Sequence, residues 1–350
     1  MTPGYIEILR AQDRDRRNLF QIAAQRMGTA AINIEKDFWV CLTLEALFNW
    51  PMKGGARLLF KGGTSLSKAW GLISRFSEDI DISISRDDLG APGEADELEK
   101  LSANQRKKRL EAMTDAAARY IAGRLLPHLR DEVLQSTFER ADRGGAAWTV
   151  QVDPAENQTL LFAYPSVLDA DDGYVRREVK IEMGARTAFA PHQAVTIKPF
   201  ILEDVSGLPL DVASVVTVMP TRTFWDKAFI LHELRARFEE QGRLPAGGQR
   251  LTRHYYDLHR LIASPVGADA LANLELGNAC LAHRRVFFPG RWNETAAPGG
   301  YRLVPSEGMV GILSEDYQRM TGMIFGDPPN FADVMASIAE IEERLNGDAG

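Results

Sequence analysis

Cysteine is nearly absent from this chain, with two residues, Cys41 and Cys280, in 350. A lone, widely separated pair gives neither a disulfide framework nor the close spacing of a zinc site, and a reducing compartment fits best. No apolar run approaches the roughly 18 residues of a membrane span. The opening stretch MTPGYIEILRAQDRDRR has charges where a signal peptide carries its apolar core, so a cytoplasmic protein without a membrane partner is expected. Basic residues are not in excess: Lys and Arg number 41 against 48 Asp and Glu, a net charge of −7. That balance argues against indiscriminate coating of nucleic acid, leaves local basic patches open, and gives no reason to expect sequence recognition of DNA. Internal repeats and low-complexity segments are also missing. So is the phosphate loop GxxxxGK[ST], because no Lys-Ser or Lys-Thr follows the glycine pair at 62–63.

What remains is an ordinary globular composition, 45% hydrophobic and 25% charged, long enough for two domains. Residues 4–48 predict two helices, the second from about Ile32 to Phe48 and stopping before Pro51. LLF at 58–60 is a short buried-strand candidate. A helix from Ser65 to Ile73 is expected after the glycines, and the alternating, β-branched IDISI at 80–84 predicts a strand. Residues 86–105 read as a loop, and Gln105 to Leu126 as a helix. AAWTVQV, QTLLFAY and REVKIEM then follow as strand-like runs. From about Thr221 the pattern is helical, through FWDKAFILHELRARFEE, HYYDLHRLI, LANLELGNACLAHRRVFF and FADVMASIAEIEERL. The expected fold class is α+β. A mixed-sheet domain with N-terminal helices spans residues 1–205, and a mostly helical domain spans 206–350.

The stretch KGGTSLSKAWGLISRFSEDIDISI, residues 61–84, carries the chemistry. On a strand, residues i and i+2 share a face, so Asp79 and Asp81 project together. Two carboxylates that close repel each other, and a divalent cation removes the conflict. Mg²⁺, or Mn²⁺ in its place, takes one or two carboxylates together with phosphate oxygens. Gly62 and Gly63 allow backbone to approach a phosphate, and Thr64 and Ser65 add hydroxyl donors. A glycine turn on one side of a helix and a metal-binding acid pair on the other together suit a nucleoside triphosphate.

The order of glycine pair, helix and acid pair on a strand resembles the polymerase-β-type nucleotidyltransferase superfamily. The wording FKGGTSLSKAWGLISRFSEDIDISI resembles, more closely, the AbiEii/AbiGii-like nucleotidyltransferase toxins of bacterial toxin–antitoxin and abortive-infection systems. IEKDFWVCLTLEALF is similar to that family's N-terminal helix, and DYQRMTGMIFGDPPNFADVMASIAEIEERLN to its C-terminal helices. The resemblance spans nearly the whole chain. It implies a polymerase-β-like core followed by a helical C-terminal domain, NTP as substrate, and Mg²⁺ or Mn²⁺ on Asp79, Asp81 and a third carboxylate. Lys61, Gly62, Gly63, Thr64 and Ser65 form the expected nucleotide-binding turn.

KIEMGAR at 180–186 offers Glu182 as the third carboxylate, as the family pattern would have it. Glu178 lies on the same strand face and competes with it. Glu182 is preferred here because Ile181 and Met183 flank it. Lys227 sits among Trp225, Ala228, Phe229 and Ile230, where a lysine either snorkels or has a task. The resemblance implies a phosphate-pairing lysine on this helix. Arg253 and Asp257 are one helical turn apart. By resemblance Arg253 faces the nucleotide, and Asp257 orients Lys227 or the base and ribose. EEQGRLPAGGQRLT just before them is a loop that could cover the nucleotide, while His254 and His259 read as ordinary helix residues. The resemblance further implies an RNA acceptor, tRNA at its acceptor end, and a cognate antitoxin in a phage-defence setting. RKKR at 106–109, Arg235, Arg237, Arg243, Arg250 and HRRVFFPGRW at 283–292 are the basic groups that could meet RNA phosphates and bases. Transfer to a protein hydroxyl would use the same active site, and a nucleotide-binding regulator without turnover is a third reading.

Overall fold

The computed structural model of the chain describes residues 1–350 apart from 51, 170–175, 245–249, 291, 293–294 and 348–350. Contacts divide the described residues into two units. The first comprises Met1–Ala69, Phe76–Glu94 and Leu101–Val218, and the second Trp70–Arg75, Ala95–Lys100 and Met219–Gly350.

The first unit opens with three helices rather than two: α1 (Pro3–Arg10), α2 (Asp13–Met27) and α3 (Ala31–Phe48). Gly28, left-handed at φ 62°, ends α2 and separates it from α3. Every residue of α3 from Asn33 to Leu47 is buried, so this helix is surrounded by protein on all sides. Strand β1 (Leu58–Lys61) leads directly into the short α4 (Gly62–Lys68), and β2 (Ile80–Ile84) follows. The helix expected to reach Ile73 stops at Lys68, ahead of the left-handed Gly71.

Within 86–105, α5 (Ala95–Glu99) interrupts the expected loop and belongs to the second unit. The long α6 (Ala103–Tyr120) starts on a capping box between Ser102 and Gln105. It continues through two π-turns, Ile121–Leu125 and His128–Leu134, into α7 (Gln135–Arg140). Strands β3 (Thr149–Val152), β4 (Thr159–Ala163) and β5 (Glu178–Gly184) fall on the three strand-like runs. Two more strands, β6 (His192–Ile197) and β7 (Val212–Val218), were not expected. They flank the expected boundary at 205/206, and the first unit extends through β7.

All seven strands form one sheet in the order β3-β4-β5-β2-β1-β7-β6, with β2/β5 and β1/β7 parallel and the other pairs antiparallel. Phe60, Ile80, Ile82, Ile84, Val179, Ile181 and Met183 pack with α3 into one core. Strand periodicity therefore turns Lys61, Asp81 and Glu182 to the opposite face.

The second unit is helical: α8 (Pro220–Gln241), α9 (Thr252–Ile262), α10 (Pro265–Ala272), α11 (Leu274–Phe287), α12 (Glu307–Thr321) and α13 (Phe331–Gly347). The run expected as one helix at 271–288 is broken at Asn273, whose side chain accepts from the Leu276 N–H and starts α11 afresh. Asp316 of α12 fixes the start of α9, accepting from the backbone N–H groups of Arg250 and Thr252 and from the Thr252 hydroxyl. Within this unit the segment 70–75 is held by an isolated antiparallel bridge between Arg75 and Ile324, and by the Phe325 N–H donating to the Ser74 carbonyl at 2.7 Å. Among the described residues no helix is long and apolar enough to cross a membrane.

Candidate active site

Sheet register assembles the first part of the site. Lys61 of β1 stands opposite Asp81 of β2, and Asp81 stands beside Glu182 of β5. Cross-strand partners share a face, so the three side chains form one row. Glu178 is paired instead with Ala163 of β4, outside the register that β2 makes with β5. Lys61 Nζ lies 3.7 Å from Asp81 Oδ1. Lys180, two residues before Glu182 and on the same face, places its Nζ 2.7 Å from Glu182 Oε1 and 3.2 Å from Glu156 Oε2. Burial alone would lower the Lys180 ammonium, but its bonds to Glu182 and Glu156 outweigh that and hold it above the usual lysine range.

Gly62 starts the turn from β1 into α4 with φ 79°, a left-handed conformation that favours glycine. A Cβ at this position would lie 1.9 Å from Asp81 Oδ2 and 2.6 Å from its Cγ. The turn therefore sits directly on the carboxylate, and only the absence of a side chain permits it. The two hydroxyls that follow are turned inward, since Thr64 and Ser65 are fully buried. Thr64 Oγ1 donates to the Asp79 carbonyl at 2.5 Å and lies 2.9 Å from Ser77 Oγ, while Ser65 Oγ donates to the Gly62 carbonyl at 2.8 Å. Thr64 ties the turn to the segment that carries the acids, and Ser65 closes the turn on itself. Asp79 lies one residue before β2 and is half-buried.

Behind this face, three consecutive ions of the buried helix α3 each find a partner. The Glu35 carboxylate accepts from Ser166 Oγ and the Val167 N–H at 2.6 and 2.7 Å. Lys36 Nζ donates to Glu78 Oε2 at 2.6 Å and to the Arg176 carbonyl at 3.1 Å. Asp37 meets Lys68 Nζ at 2.6 Å and accepts from the Phe200 N–H at 2.6 Å. Burial pushes the Glu35 and Asp37 carboxyls up, against the pull of these partners.

The second unit contains a separate ionic cluster. Arg75 grips Asp257 with two bonds, Nε to Oδ1 at 2.7 Å and Nη2 to Oδ2 at 2.8 Å, and Lys227 Nζ is 2.7 Å from Asp257 Oδ2. Asp257 is fully buried and Lys227 nearly so. Burial would raise the Asp257 carboxyl, but Arg75 and Lys227 reverse this and hold it far below the usual carboxylate range. Lys227 is lowered chiefly by burial, with Asp257 opposing and Arg75 and Arg253 adding to the effect. The oxygens of Asp257 are taken by Arg75 and Lys227, not by Arg253 one turn earlier. Two cations thus share one carboxylate, and the charge of Arg253 acts on Lys227 from nearby. Sequence reasoning named Lys227, Arg253 and Asp257, of which the structure joins Lys227 to Asp257, and it missed Arg75, although that residue stands inside the RFSEDID stretch.

The residues of the row fit a hard divalent cation by donor type, since Asp81 and Glu182 are neighbouring carboxylates. Their present counter-ions are Lys61 and Lys180. Among the described residues no three His, Cys, Asp or Glu side chains are gathered closely enough to hold a metal ion. Of the expected trio, Asp81 and Glu182 are cross-strand neighbours, and Asp79 lies two residues before Asp81 on the approach to β2. Several basic residues expected to meet RNA are also occupied. Arg235 pairs with Glu239, and Arg237 and Arg284 both pair with Glu233. Phe287 and Trp292 are buried in the second unit, whereas Phe288 is exposed. The covering loop falls partly on 245–249 and Arg291 belongs to HRRVFFPGRW; both lie outside the described residues.

No curated protein matches this chain. Among solved structures, MenT4, a nucleotidyltransferase toxin from Mycobacterium tuberculosis H37Rv, is similar with a TM-score of 0.50. The likeness covers 95% of this chain and 90% of that one at 16% identity, and it speaks for the fold. The family described as nucleotidyl transferase AbiEii toxin, type IV toxin–antitoxin system, matches residues 45–338. With most of its length matched, and with a glycine turn set on a strand carboxylate, this chain belongs to the AbiEii family of nucleotidyltransferase toxins.

Proposed function

We propose that the chain transfers a nucleoside monophosphate from an NTP to an RNA acceptor, in the first instance tRNA, and releases pyrophosphate. Support comes chiefly from the row Lys61–Asp81–Glu182 under the Gly62 turn, which puts two carboxylates beside a backbone segment stripped of side chains. Asp79, Asp81 and Glu182 are the residues that would hold Mg²⁺ or Mn²⁺. When bound, such an ion neutralises triphosphate charge and makes the acceptor hydroxyl more acidic. The turn at Lys61–Ser65 receives the phosphates through its backbone and Lys61, while Thr64 and Ser65 keep its shape. Glu182 is the third carboxylate, and Lys180 yields it by passing to Glu156, which it already touches. Lys227 serves the β or γ phosphate, Asp257 and Arg75 fix Lys227 in place, and Arg253 adds positive charge towards the nucleotide.

In a cell the chain acts as a toxin restrained by a cognate antitoxin, in the cytoplasm and in defence against phage. The pairing of Arg235, Arg237 and Arg284 with glutamates favours one second reading, a protein hydroxyl as acceptor, because it reduces the charge available to RNA. Incubation with each labelled NTP, Mg²⁺ and either total RNA or total protein separates the two. Label in RNA of tRNA size is expected, and label confined to protein overturns the RNA reading. Induced expression without an antitoxin should arrest growth, while Asp81→Ala at equal abundance should not. Arrest by Asp81→Ala would mean sequestration rather than catalysis.

A further inference from the structure

We infer that helix α3 is a two-armed clamp that sets the two halves of the catalytic motif independently, with Lys36 and Asp37 as positioning residues. Lys36 reaches Glu78, the residue directly before Asp79 and three before Asp81. Asp37, its neighbour on the helix, reaches Lys68 at the end of α4, the helix that begins with the Gly62 turn. All four side chains are nearly excluded from solvent: Lys36 and Asp37 are 2% and 3% exposed, Glu78 6%, and the Lys68 side chain 4%. Lys68 also lies over the Phe200 ring, 3.6 Å from its centre, and Asp37 takes the Phe200 N–H.

Buried ion pairs are poor sources of stability, since desolvation consumes most of their attraction, and apolar residues would fill these places at least as well. What such pairs do supply is direction. A 2.6 Å contact between two ions in a low-dielectric interior fixes the backbone at both ends far more narrowly than packed methyl groups do. Here one end is α3, which is immobilised by burial on every side. The other ends are the start of the carboxylate strand and the end of the turn helix. Successive helix positions point about 100° apart, so one helix serves both segments without the arms sharing a partner.

The inference rests on the nucleotidyltransferase reading, and it predicts that the two arms have separable kinetic effects. Releasing Lys36–Glu78 loosens the carboxylates that act in the transition state, so kcat falls. Releasing Asp37–Lys68 loosens the turn that receives the phosphates, so KM for NTP rises. Displacement of about 1 Å at a reacting group costs roughly a hundredfold in rate.

The test uses the full chain, labelled NTP and the RNA acceptor pool, with melting curves for every variant. The neutral pair Lys36→Met/Glu78→Met should lose tenfold or more in kcat with KM for NTP within twofold. Asp37→Asn/Lys68→Met retains an acceptor for the Phe200 N–H; it should raise KM tenfold or more with kcat within threefold. Glu78→Asp retains both charges and the fold but shortens the arm by one methylene, and it should reproduce the kcat loss if the neutral pair does not fold. Full kcat in the folded Lys36/Glu78 variants, or equal changes in both parameters from both arms, overturns the clamp. Asp81→Ala is the separate control: transfer surviving in it refutes the catalytic reading itself, whatever the clamp variants do.

Discussion

Replacing Gly62 by alanine adds a single methyl group, and its effects follow from two features of the structure. The backbone at Gly62 has φ 79°, which costs an L-residue roughly 1–2 kcal/mol. The new Cβ would also stand 1.9 Å from Asp81 Oδ2, 2.6 Å from Cγ and 2.9 Å from Cβ. Ordinary contact begins near 3.4 Å, so the carboxylate or the turn must move by more than an ångström. Because Asp81 Cβ is itself too close, rotation about its side-chain bonds does not relieve the clash. Stability should fall by about 1–2 kcal/mol plus the cost of displacement, a drop of several degrees at roughly 2–4 °C per kcal/mol for a domain of 150–250 residues. Activity should fall about a hundredfold or more. Gly90 supplies the control, since it has φ 68° and nothing within 4 Å of a built Cβ. Gly90→Ala should show the backbone penalty in a thermal melt and keep normal transfer to labelled RNA. If Gly62→Ala loses no more activity than Gly90→Ala, the turn does not rest on a working carboxylate and the reasoning fails.

Further outcomes follow from the same geometry. Glu182→Gln should abolish transfer while Glu178→Gln stays within about twofold of the parent, because only Glu182 is in register with Asp81; equal losses would show that register does not select the third carboxylate. Lys227→Met should reduce kcat/KM for NTP about 10- to 100-fold, the loss of one charged contact of about 1.5–3 kcal/mol. Lys227→Arg should recover only part of this, since a planar fork cannot occupy the place of a point charge; unchanged kinetics in Lys227→Met would reduce the lysine to a structural role. Asp257 has a depressed carboxyl in the folded state, so its stabilisation is complete above the unfolded value near 3.9 and is lost as pH falls below it. The stability difference between the parent and Asp257→Asn should therefore shrink in urea titrations from pH 7 towards pH 3, and a constant difference would falsify the cluster's electrostatic role.

Much of the site was legible because its signals are local. The strand IDISI and the glycine pair are fixed by residue type within a few positions, and the observed β2 has the expected bounds. Glu178 and Glu182 could not be fully separated from sequence, since both face the same way on β5; apolar neighbours favoured Glu182, and its register with β2 is a pairing distant in sequence. Arg75 was invisible as a partner of Asp257 because 182 positions separate them. The triplet Glu35–Lys36–Asp37 in α3 would ordinarily mark a solvated helix face, and only the partners at 68, 78 and 166–167 show why it is buried. Thr64 and Ser65 were read as outward donors because sequence gives the hydroxyl but not its direction. Strands β6 and β7 carried a β-branched signal in HQAVTI and VASVVTV that was not picked out between the strand-like runs and the helical stretch after 221.

The pairing order of the sheet also dictates when the site can exist. Lys61 and Asp81 come from adjacent antiparallel strands and can meet early. Glu182 joins them through a parallel pairing, which no tight turn can make, and only after α6, α7, β3 and β4 have been laid down. Phe60 then waits for Thr217 before β1 gains its second neighbour. Synthesis proceeds at roughly 5–20 residues per second, so a ribosome displays Asp81 for several seconds before Glu182 has been made. A chain cut short anywhere in that interval lacks the carboxylate proposed as the third. On the proposed reading, transfer is thereby deferred until more than half of the 350 residues have been made, which gives the producing cell an interval in which the emerging chain is inactive.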